Sequence, residues 1–525
     1  MAVLNSSKTA TQSLYDLLAA KLPSSTKFTF HHISTPPTKC DPLYAPPPGT
    51  KPERTYCESH FLTVSAPQNT RLVLLFAIEV LIFTTKYLTT VFISKADSTG
   101  CLASRHLPSS SSIIRSTTST FVSYLVSTRQ RPRTRLVLSL FARAQGQYLF
   151  PASVDNKGKH VLDDRQLVKW WCKTLDPVLR SSPSSTQQRQ AFVLVPGFDR
   201  QETIAFLPPS YRTDPPDGRK WTHGHPLELI ARNPAAPPRC LVPRFPDDPK
   251  ARYLDELDEE LPDAGGVRHV SSPSKRGSGV WKSIKTLSQF WEMMAFRQEC
   301  SSGRLVGFVW VVFTPEDLAD GEAEEGLLES PGSIDRRGEV ASIAEVVGGG
   351  VNRDRSGERS KKPLSGPVIA RAPRVKRDSS TISTAALLAE NSPFWKWPED
   401  SRGQVVVDPA GYDRIHDLLL KLDFSSDEAA TESTAKWLEE AVTIFGDSKK
   451  WGREVTGQAE VTASTANGHA NGTAGPVVKN QPHDLSASIV RKKRKAENPP
   501  DPPPRPDIPP VNVLSSGFIR KRPKT

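Results

Sequence analysis

The chain has 525 residues, a formal net charge of +12 and a hydrophobic fraction of 37%. Its 47 prolines exclude packing of the whole length into one core, so one large domain accompanied by unstructured sequence is expected. The basic balance favours nuclear, acidic or nucleic-acid partners and leaves the fold open.

Residues 11–22 place Leu14, Leu17, Leu18 and Leu22 on one stripe, with Pro23 just beyond, and predict a helix. The segment HHISTPPTKCDPLYAPPPGTKP reads as a proline-rich loop up to about residue 53. Strands are predicted near 57–65, 72–83 and 87–94, where β-branched and aromatic residues concentrate. The stretch from Arg71 to Lys95 is nearly membrane-like, but Glu79 and Lys86 interrupt it. Two buried strands joined near Thr84–Lys86 are expected instead, in a soluble protein with no membrane partner. KADSTG then closes the last strand as a turn.

A loop at 106–112 leads into a predicted helix of about 113–126, and RTRLVLSLFAR at 133–143 reads as a strand. Asp163 or Asp164 caps a helix that sets Leu167, Trp170, Trp171, Leu175 and Leu179 on one broad face. Residues 181–240 read as irregular, followed by a short loop and an acidic helix after Pro249. A helix over 282–299 and a buried strand at 306–313 come next. Composition then shifts, and 315–385 is expected as a disordered insertion. Order returns over 386–455, where two amphipathic helices need a partner surface and are expected to pack on the main domain. Residues 456–525 read as a disordered basic tail with clusters RKKRK at 491–495 and FIRKRPKT at 518–525.

The cysteines (Cys40, Cys57, Cys101, Cys172, Cys240, Cys300) are scattered without a CxxC pair, which excludes a zinc finger of the usual spacing and favours reduced thiols. No signal peptide is expected. No P-loop and no HExxH occurs, and the GGGV at 348–351 does not follow a strand.

Four segments can carry chemistry. In FPDDPKARY (245–253), Asp247 and Asp248 are confined between prolines, and adjacent acids raise at least one pKa toward the range of a general base. The alternative is a solvated loop that caps the next helix. In ISKADSTG (93–100), Asp97 is either a turn-former or a site residue at a strand end. Trp170 and Trp171, with Tyr148 and His160 upstream, are core aromatics unless one of them lines a groove. SSSSIIR (109–115) at a helix start is a phosphate seat or an ordinary serine-rich loop.

Together, FISKADSTG (92–100), FARAQGQYLFP (141–151), KHVLDDRQLVKWW (159–171), VPRFPDDPKARY (242–253) and LSQFWEMMAFRQE (287–299) resemble one family in content and order. It is the fungal histone H3 lysine-56 acetyltransferase, named for regulation of Ty transposition. The final RKRPKT is similar to that family's basic tail. The likeness spans about residues 10–313 and, more weakly, 386–455.

The resemblance implies one large α/β acetyltransferase domain, a mixed central sheet surrounded by helices, akin to the CREB-binding-protein enzymes. The implied organisation is a main part at 1–314, the insertion at 315–385, a helical C-terminal part at 386–455 and the tail at 456–525. It implies acetyl-CoA as co-substrate and no metal. Residue by residue it implies Asp248 as catalytic acid/base beside Asp247, and Lys250 as a self-acetylated lysine. It sets Ala96, Asp97 and Ser98 against acetyl-CoA, and Ser111, Ser112, Ile113, Ile114 and Arg115 at its diphosphate. Phe141, Gln145, His160, Val161, Leu162 and Trp170 are implied for the cofactor channel, with Trp171 and Tyr148 bordering the substrate lysine. The chain departs from the family in a longer loop between Gly100 and Ile113 and in Gln145, where a small residue is expected.

The phosphate loop of the GNAT enzymes and the zinc finger common in MYST enzymes are missing. The implied partners are histone H3 (as H3–H4), a NAP-type chaperone and the anti-silencing-function chaperone, without sequence-specific DNA binding. The implied location is the nucleus, with RKKRK as localisation signal. The competing reading is a non-catalytic nuclear adaptor on a degenerate acetyltransferase fold.

Overall fold

Turn residues divide the β-branched runs into strands, and their pairing sets the architecture. The computed structural model describes residues 12–103, 110–181, 187–261, 279–297, 304–318, 388–445 and 451–460. The strands are β1 (Lys27–Ser34), β2 (Thr38–Cys40), β3 (Thr55–Gln68), β4 (Arg71–Thr84), β5 (Leu88–Ser98), β6 (Arg135–Arg143), β7 (Gln187–Leu194), β8 (Trp221–His223), β9 (Val306–Pro315), β10 (Val405–Val406) and β11 (Arg453–Thr456). They form one 11-stranded sheet in the order β10-β1-β3-β4-β5-β6-β9-β7-β8, with β11 beside β1 and β2 beside β3. The β5–β6, β7–β8 and β1–β10 pairs are parallel and the remaining pairs antiparallel, so the sheet is mixed as expected.

Among the described residues the longer helices framing the sheet are α1 (Leu14–Ala19), α2 (Ser110–Arg129), α3 (Asp164–Arg180), α4 (Ala251–Glu259), α5 (Leu287–Ala295), α6 (Pro409–Leu419) and α7 (Asp427–Phe445). Short helical turns fill 200–241. The two-residue period of β9 divides the core. Val309, Val311 and Phe313 join the cluster built with α1–α3, whereas Phe308, Trp310 and Val312 join a second cluster with α4 and α5. Close approach of α3 requires a glycine: a Cβ on Gly307 would lie 2.5 Å from Val168 Cγ2.

The C-terminal helices pack on β4. The Leu74 amide donates to Thr434 Oγ1 (2.9 Å), the Tyr412 hydroxyl to Glu79 Oε1 (3.0 Å) and Trp437 Nε1 to the Ile415 carbonyl (3.1 Å). Backbone hydrogen bonding continues to Ala459, whose N–H reaches Leu22 O. No helix among the described residues is long and apolar enough to cross a membrane. The stretch Arg71–Lys95 is the β4–β5 hairpin, turning at 85–87.

Several local expectations are corrected. The proline-rich segment begins inside β1, which buries His31, His32 and Ser34 beside Phe28 and Phe30. Polar residues hide that strand from an apolar-run reading: His32 meets His60 and His31 meets Thr63 of β3, while Ser34 Oγ accepts the Gly403 amide. The irregular span 181–240 contains β7, an interior strand whose first half, Gln187–Gln190, is polar where it nears the sheet rim. Among the described residues, the helix expected at 282–299 runs over α5, capped at Thr286 by a reciprocal box with Gln289. The helix expected at 113–126 extends over all of α2. Beyond its first four residues the 315–385 insertion lies outside the described residues, as does the tail beyond 460 with both basic clusters.

Candidate active site

The site begins with an irregularity in β5. The β4–β5 register pairs Glu79 with Lys95 and then Val80 with Ile93, leaving Ser94 as a bulge. A bulge bends its strand and re-aims the side chains that follow. Beyond it β5 leaves β6: their parallel pairing runs only from Leu88↔Arg135 to Phe92↔Ser139, while both strands continue. The gap is a cavity of ≈ 690 Å³, lined by Ile93–Ser98 on one strand and Leu140, Phe141 and Arg143 on the other. It opens at the carboxyl ends of a parallel strand pair, where open α/β sheets commonly bind ligands.

Asp97 shapes the mouth. Its Oδ2 accepts the amides of Tyr148 (2.7 Å), Leu149 (3.0 Å) and Phe150 (3.3 Å), and its Oδ1 accepts Ser98 N and Lys159 Nζ, each at 2.8 Å. Lys159 Nζ also donates to Ser153 Oγ (2.6 Å). One buried carboxylate thus holds both loops that rim the cavity. The turn-former reading fails, since Asp97 lies within β5, paired with Ala77, and its Ser98 contact is to the adjacent amide. Asp97 lines the cavity between Ala96 and Ser98, with its carboxylate engaged by these protein donors. Gly100, at φ +95°, permits the crossing of these loops, since a Cβ there would meet Lys159 N at 2.7 Å.

The aromatic wall comes from α3. Asp163 caps it in a reciprocal box with Gln166. Val168, Cys172, Leu175 and Leu179 face the core, and the step around the helix brings Leu167, Trp170 and Trp171 to the cavity. The sequence argument allowed one tryptophan to line a pocket; both do. Their rings meet edge to face, with centroids 4.8 Å apart. Tyr148 lines the same space, and burial pushes its phenol well above the ordinary range, so it remains a donor.

The acidic loop lies across from them. Phe245 stacks on Phe92 with centroids 4.2 Å apart, pinning the loop to β5. Asp247 takes a left-handed φ of +52° with its side chain 69% exposed, 2.8 Å from Lys95 Nζ. Asp248 turns inward and is buried. Its oxygens accept Lys250 Nζ at 2.8 and 2.7 Å, the Lys250 amide at 2.8 Å and the Phe245 amide at 3.1 Å. Lys250 is buried against Phe308, its Nζ 5.2 Å from the ring centroid. Burial pushes the Lys250 ammonium below the ordinary lysine range, against the pull of Asp248. The solvated-loop alternative therefore fits Asp247 but not Asp248.

The cavity gathers Ala96, Asp97, Ser98, Ile114, Phe141, Gln145, Tyr148, His160, Val161, Leu162, Trp170, Trp171, Asp247 and Asp248. His160 and Val161 sit exposed at its rim. Lys250 stands behind Asp248 and outside the lining. Ile113 is in the core instead, and Arg115 is not among the lining residues, because successive helix positions turn by about 100° and only Ile114 faces inward. The side chains of Ser111 and Ser112 lie outside the described residues. Sequence reasoning missed Lys95, Arg143, Lys159 and Phe245 as lining residues. Lys95 and Lys159 each adjoin an assigned residue, a signal that was there to be used.

Comparison with known proteins identifies the family. The family model for the histone acetyltransferase KAT11-type domain matches residues 14–136 and 131–440. Histone acetyltransferase rtt109 of Aspergillus flavus is 40% identical over 523 residues, covering 92% of this chain and 89% of that protein. The rtt109 enzyme of Schizosaccharomyces pombe is 30% identical over 305 residues, 56% of this chain and 69% of that one. The crystal structure of Rtt109 from Aspergillus fumigatus superposes with a TM-score of 0.65 at 39% identity, over 86% of this chain and 100% of that chain. The chain therefore belongs to the Rtt109 family of KAT11-type histone acetyltransferases, enzymes that transfer acetyl from acetyl-CoA to histone lysines.

Proposed function

We propose that the chain acetylates histone H3, at lysine 56 and also on lysines of the N-terminal tail, in chromatin assembly, DNA replication and the response to DNA damage. The observation that carries this reading is the cavity that sets the Asp247–Asp248 loop opposite Trp170 and Trp171. Its volume of ≈ 690 Å³ falls within the roughly 300–1,000 Å³ usual for small-molecule sites. Ala96, Ser98, Ile114, Phe141, Gln145, His160, Val161, Leu162 and Trp170 would hold acetyl-CoA, which supplies an acyl group activated as a thioester. Asp97 serves them by fixing the rim. Trp171 and Tyr148 would flank the stem of the incoming lysine.

A lysine ammonium has a reference pKa of ~10.4, so neutralising it at pH 7 costs roughly 4–5 kcal/mol. Asp248 is the buried carboxylate at the wall and the natural proton acceptor. It is also saturated: four donor contacts reach its two oxygens, two of them from the Lys250 ammonium. Acetylation of Lys250 removes that charge and frees the carboxylate to take a proton. On this reading the modification switches Asp248 from ion-pair partner to base.

The partners fitting this activity are a NAP-type chaperone and the anti-silencing-function chaperone, with nuclear import through RKKRK. The test is acetyl transfer from labelled acetyl-CoA to H3–H4, with and without each chaperone, read site by site. Asp248→Asn is expected to lower turnover by on the order of 10²–10⁴-fold while the protein stays folded. Lys250→Gln should exceed Lys250→Arg in activity. Wild-type turnover by Asp248→Asn would sink the acid/base role, and absence of transfer by the unsubstituted chain would favour the adaptor reading.

A further inference from the structure

Lys95 stands where three parts of the chain meet. The Ser94 bulge sets it directly across from Glu79, and its Nζ lies 3.3 Å from Glu79 Oε2 and 2.8 Å from Asp247 Oδ2. One ammonium thus joins a carboxylate of the sheet to a carboxylate of the acidic loop. The two ends differ in firmness. Glu79 has a side chain only 8% exposed, and its second oxygen accepts the Tyr412 hydroxyl of α6 at 3.0 Å, with His416 Nε2 at 3.9 Å. Asp247 is largely exposed and holds a left-handed backbone conformation without being glycine. Such a conformation persists only when its surroundings over-determine it.

Burial acts to discharge Lys95, but Glu79 and Asp247 outweigh it and hold the pKa above the ordinary lysine value. The charge is therefore present wherever the enzyme works. An isolated surface ion pair would contribute little, yet this one is anchored on a buried carboxylate that is itself hydrogen-bonded.

We propose that Lys95 is a positioning residue for acetyl transfer: it ties Asp247 to the Glu79–Tyr412 pair and so holds the loop that presents Asp248 at the cavity wall. The inference rests on the reading of the Asp247–Asp248 loop as catalytic. It makes α6, distant in sequence, a support of the active site.

The experiment compares Lys95→Met, Lys95→Arg, Asp247→Asn, the double variant Lys95→Met/Asp247→Asn and Asp248→Asn in the full chain, with acetyl-CoA and H3–H4. Misplacement of a catalytic group lowers kcat steeply, so Lys95→Met is expected to lose roughly 10–100-fold in kcat. The KM for acetyl-CoA should stay near wild type, and Lys95→Arg should restore most of the rate. The melting temperature should fall because buried Glu79 loses its cation, so rates are compared well below it. In the Asp247→Asn background, Lys95→Met should add no further loss. Multiplying losses in the double variant, or a loss confined to the acetyl-CoA KM, would mean that Lys95 acts on the ligand directly and would overturn the proposal. Full activity of Lys95→Met beside an inactive Asp248→Asn would overturn the tether alone. Full activity of both aspartate variants would overturn the catalytic loop and the tether with it.

Discussion

Asp97 and Asp248 are both buried acceptors, yet their partners give them different parts. Every partner of Asp97 is a structural donor: four backbone amides, and the Lys159 ammonium, which also reaches Ser153. Removing the carboxylate orphans those amides and strands a buried lysine. Breaking a buried pair typically costs about 3–5 kcal/mol, and Asp97→Ala is expected to lose stability of that order in urea unfolding. Acetyl-CoA affinity should fall with it, because the loops at 145–150 and 156–162 lose their common anchor. A variant that unfolds like wild type and titrates acetyl-CoA normally would show that the loops hold themselves. Little of this was legible locally. An aspartate ahead of Ser98 reads as a turn-former, but it lies inside β5, paired with Ala77. The donors at 148–150 follow a long helix and a strand, and no spacing in the sequence announces them. The resemblance placed Asp97 against acetyl-CoA and gave no hint of the loop amides and Lys159 that it holds.

Elements were legible where one face of a segment explains its pattern. β4 and β5 read as strands through their β-branched runs. The start of α3 was visible in Asp163 and its stripe in Leu167, Leu175 and Leu179. β1 was not, because His31, His32 and Ser34 are buried polar residues whose partners come from β3 and the C-terminal segment. The contact between α3 and β9 is a further case: Gly307 sits in an otherwise bulky strand because Val168 presses on it. Val168 is β-branched and buried, so it cannot swing aside. Gly307→Ala is expected to cost about 1–3 kcal/mol by overpacking. Adding Val168→Ala should recover part of that loss, as thermal unfolding of the two variants would reveal. At the other end, Trp437 is fully buried against His31, Phe61 and Trp451. Trp437→Ala should cost about 3–5 kcal/mol and free α6 and α7 from β4; unchanged protection of Leu74 from amide exchange would contradict this.

Across the molecule, the edge around β1 and β3 binds the C-terminal part to the sheet through groups that titrate. Arg129 at the end of α2 forks onto Glu58 (Nε–Oε1 2.5 Å, Nη2–Oε2 3.2 Å) and reaches His60 Nε2 (3.3 Å) and Ser401 Oγ. His60 Nδ1 lies 3.0 Å from His32 Nε2. His31, on the same strand, packs between Trp437 and Trp451 with Thr63 Oγ1 at 3.5 Å. Burial pushes the His31 pKa down to about 3 and also lowers His32 and His60, where the Arg129 charge adds to it. Burial would raise Glu58, but Arg129 and His60 overcome that and leave it below the ordinary carboxylate value.

The sign is the same for all four groups: between the folded and unfolded values the unfolded chain binds more protons, so stability rises with pH. For His31 the contribution is complete above pH 6.5 and is lost progressively as the pH falls toward about 3. Each such histidine can contribute a slope of up to about 1.4 kcal/mol per pH unit. The melting temperature is therefore expected to be flat above neutrality and to decline already between pH 6.5 and 5.5, before carboxylates protonate in number. His31→Phe keeps an aromatic ring between the two tryptophans and cannot take up a proton. Its melting temperature should fall less between pH 7.5 and 5.5 than that of the wild type. Equal declines would assign the acid lability to groups other than the histidine at the joint between β1 and the C-terminal helices.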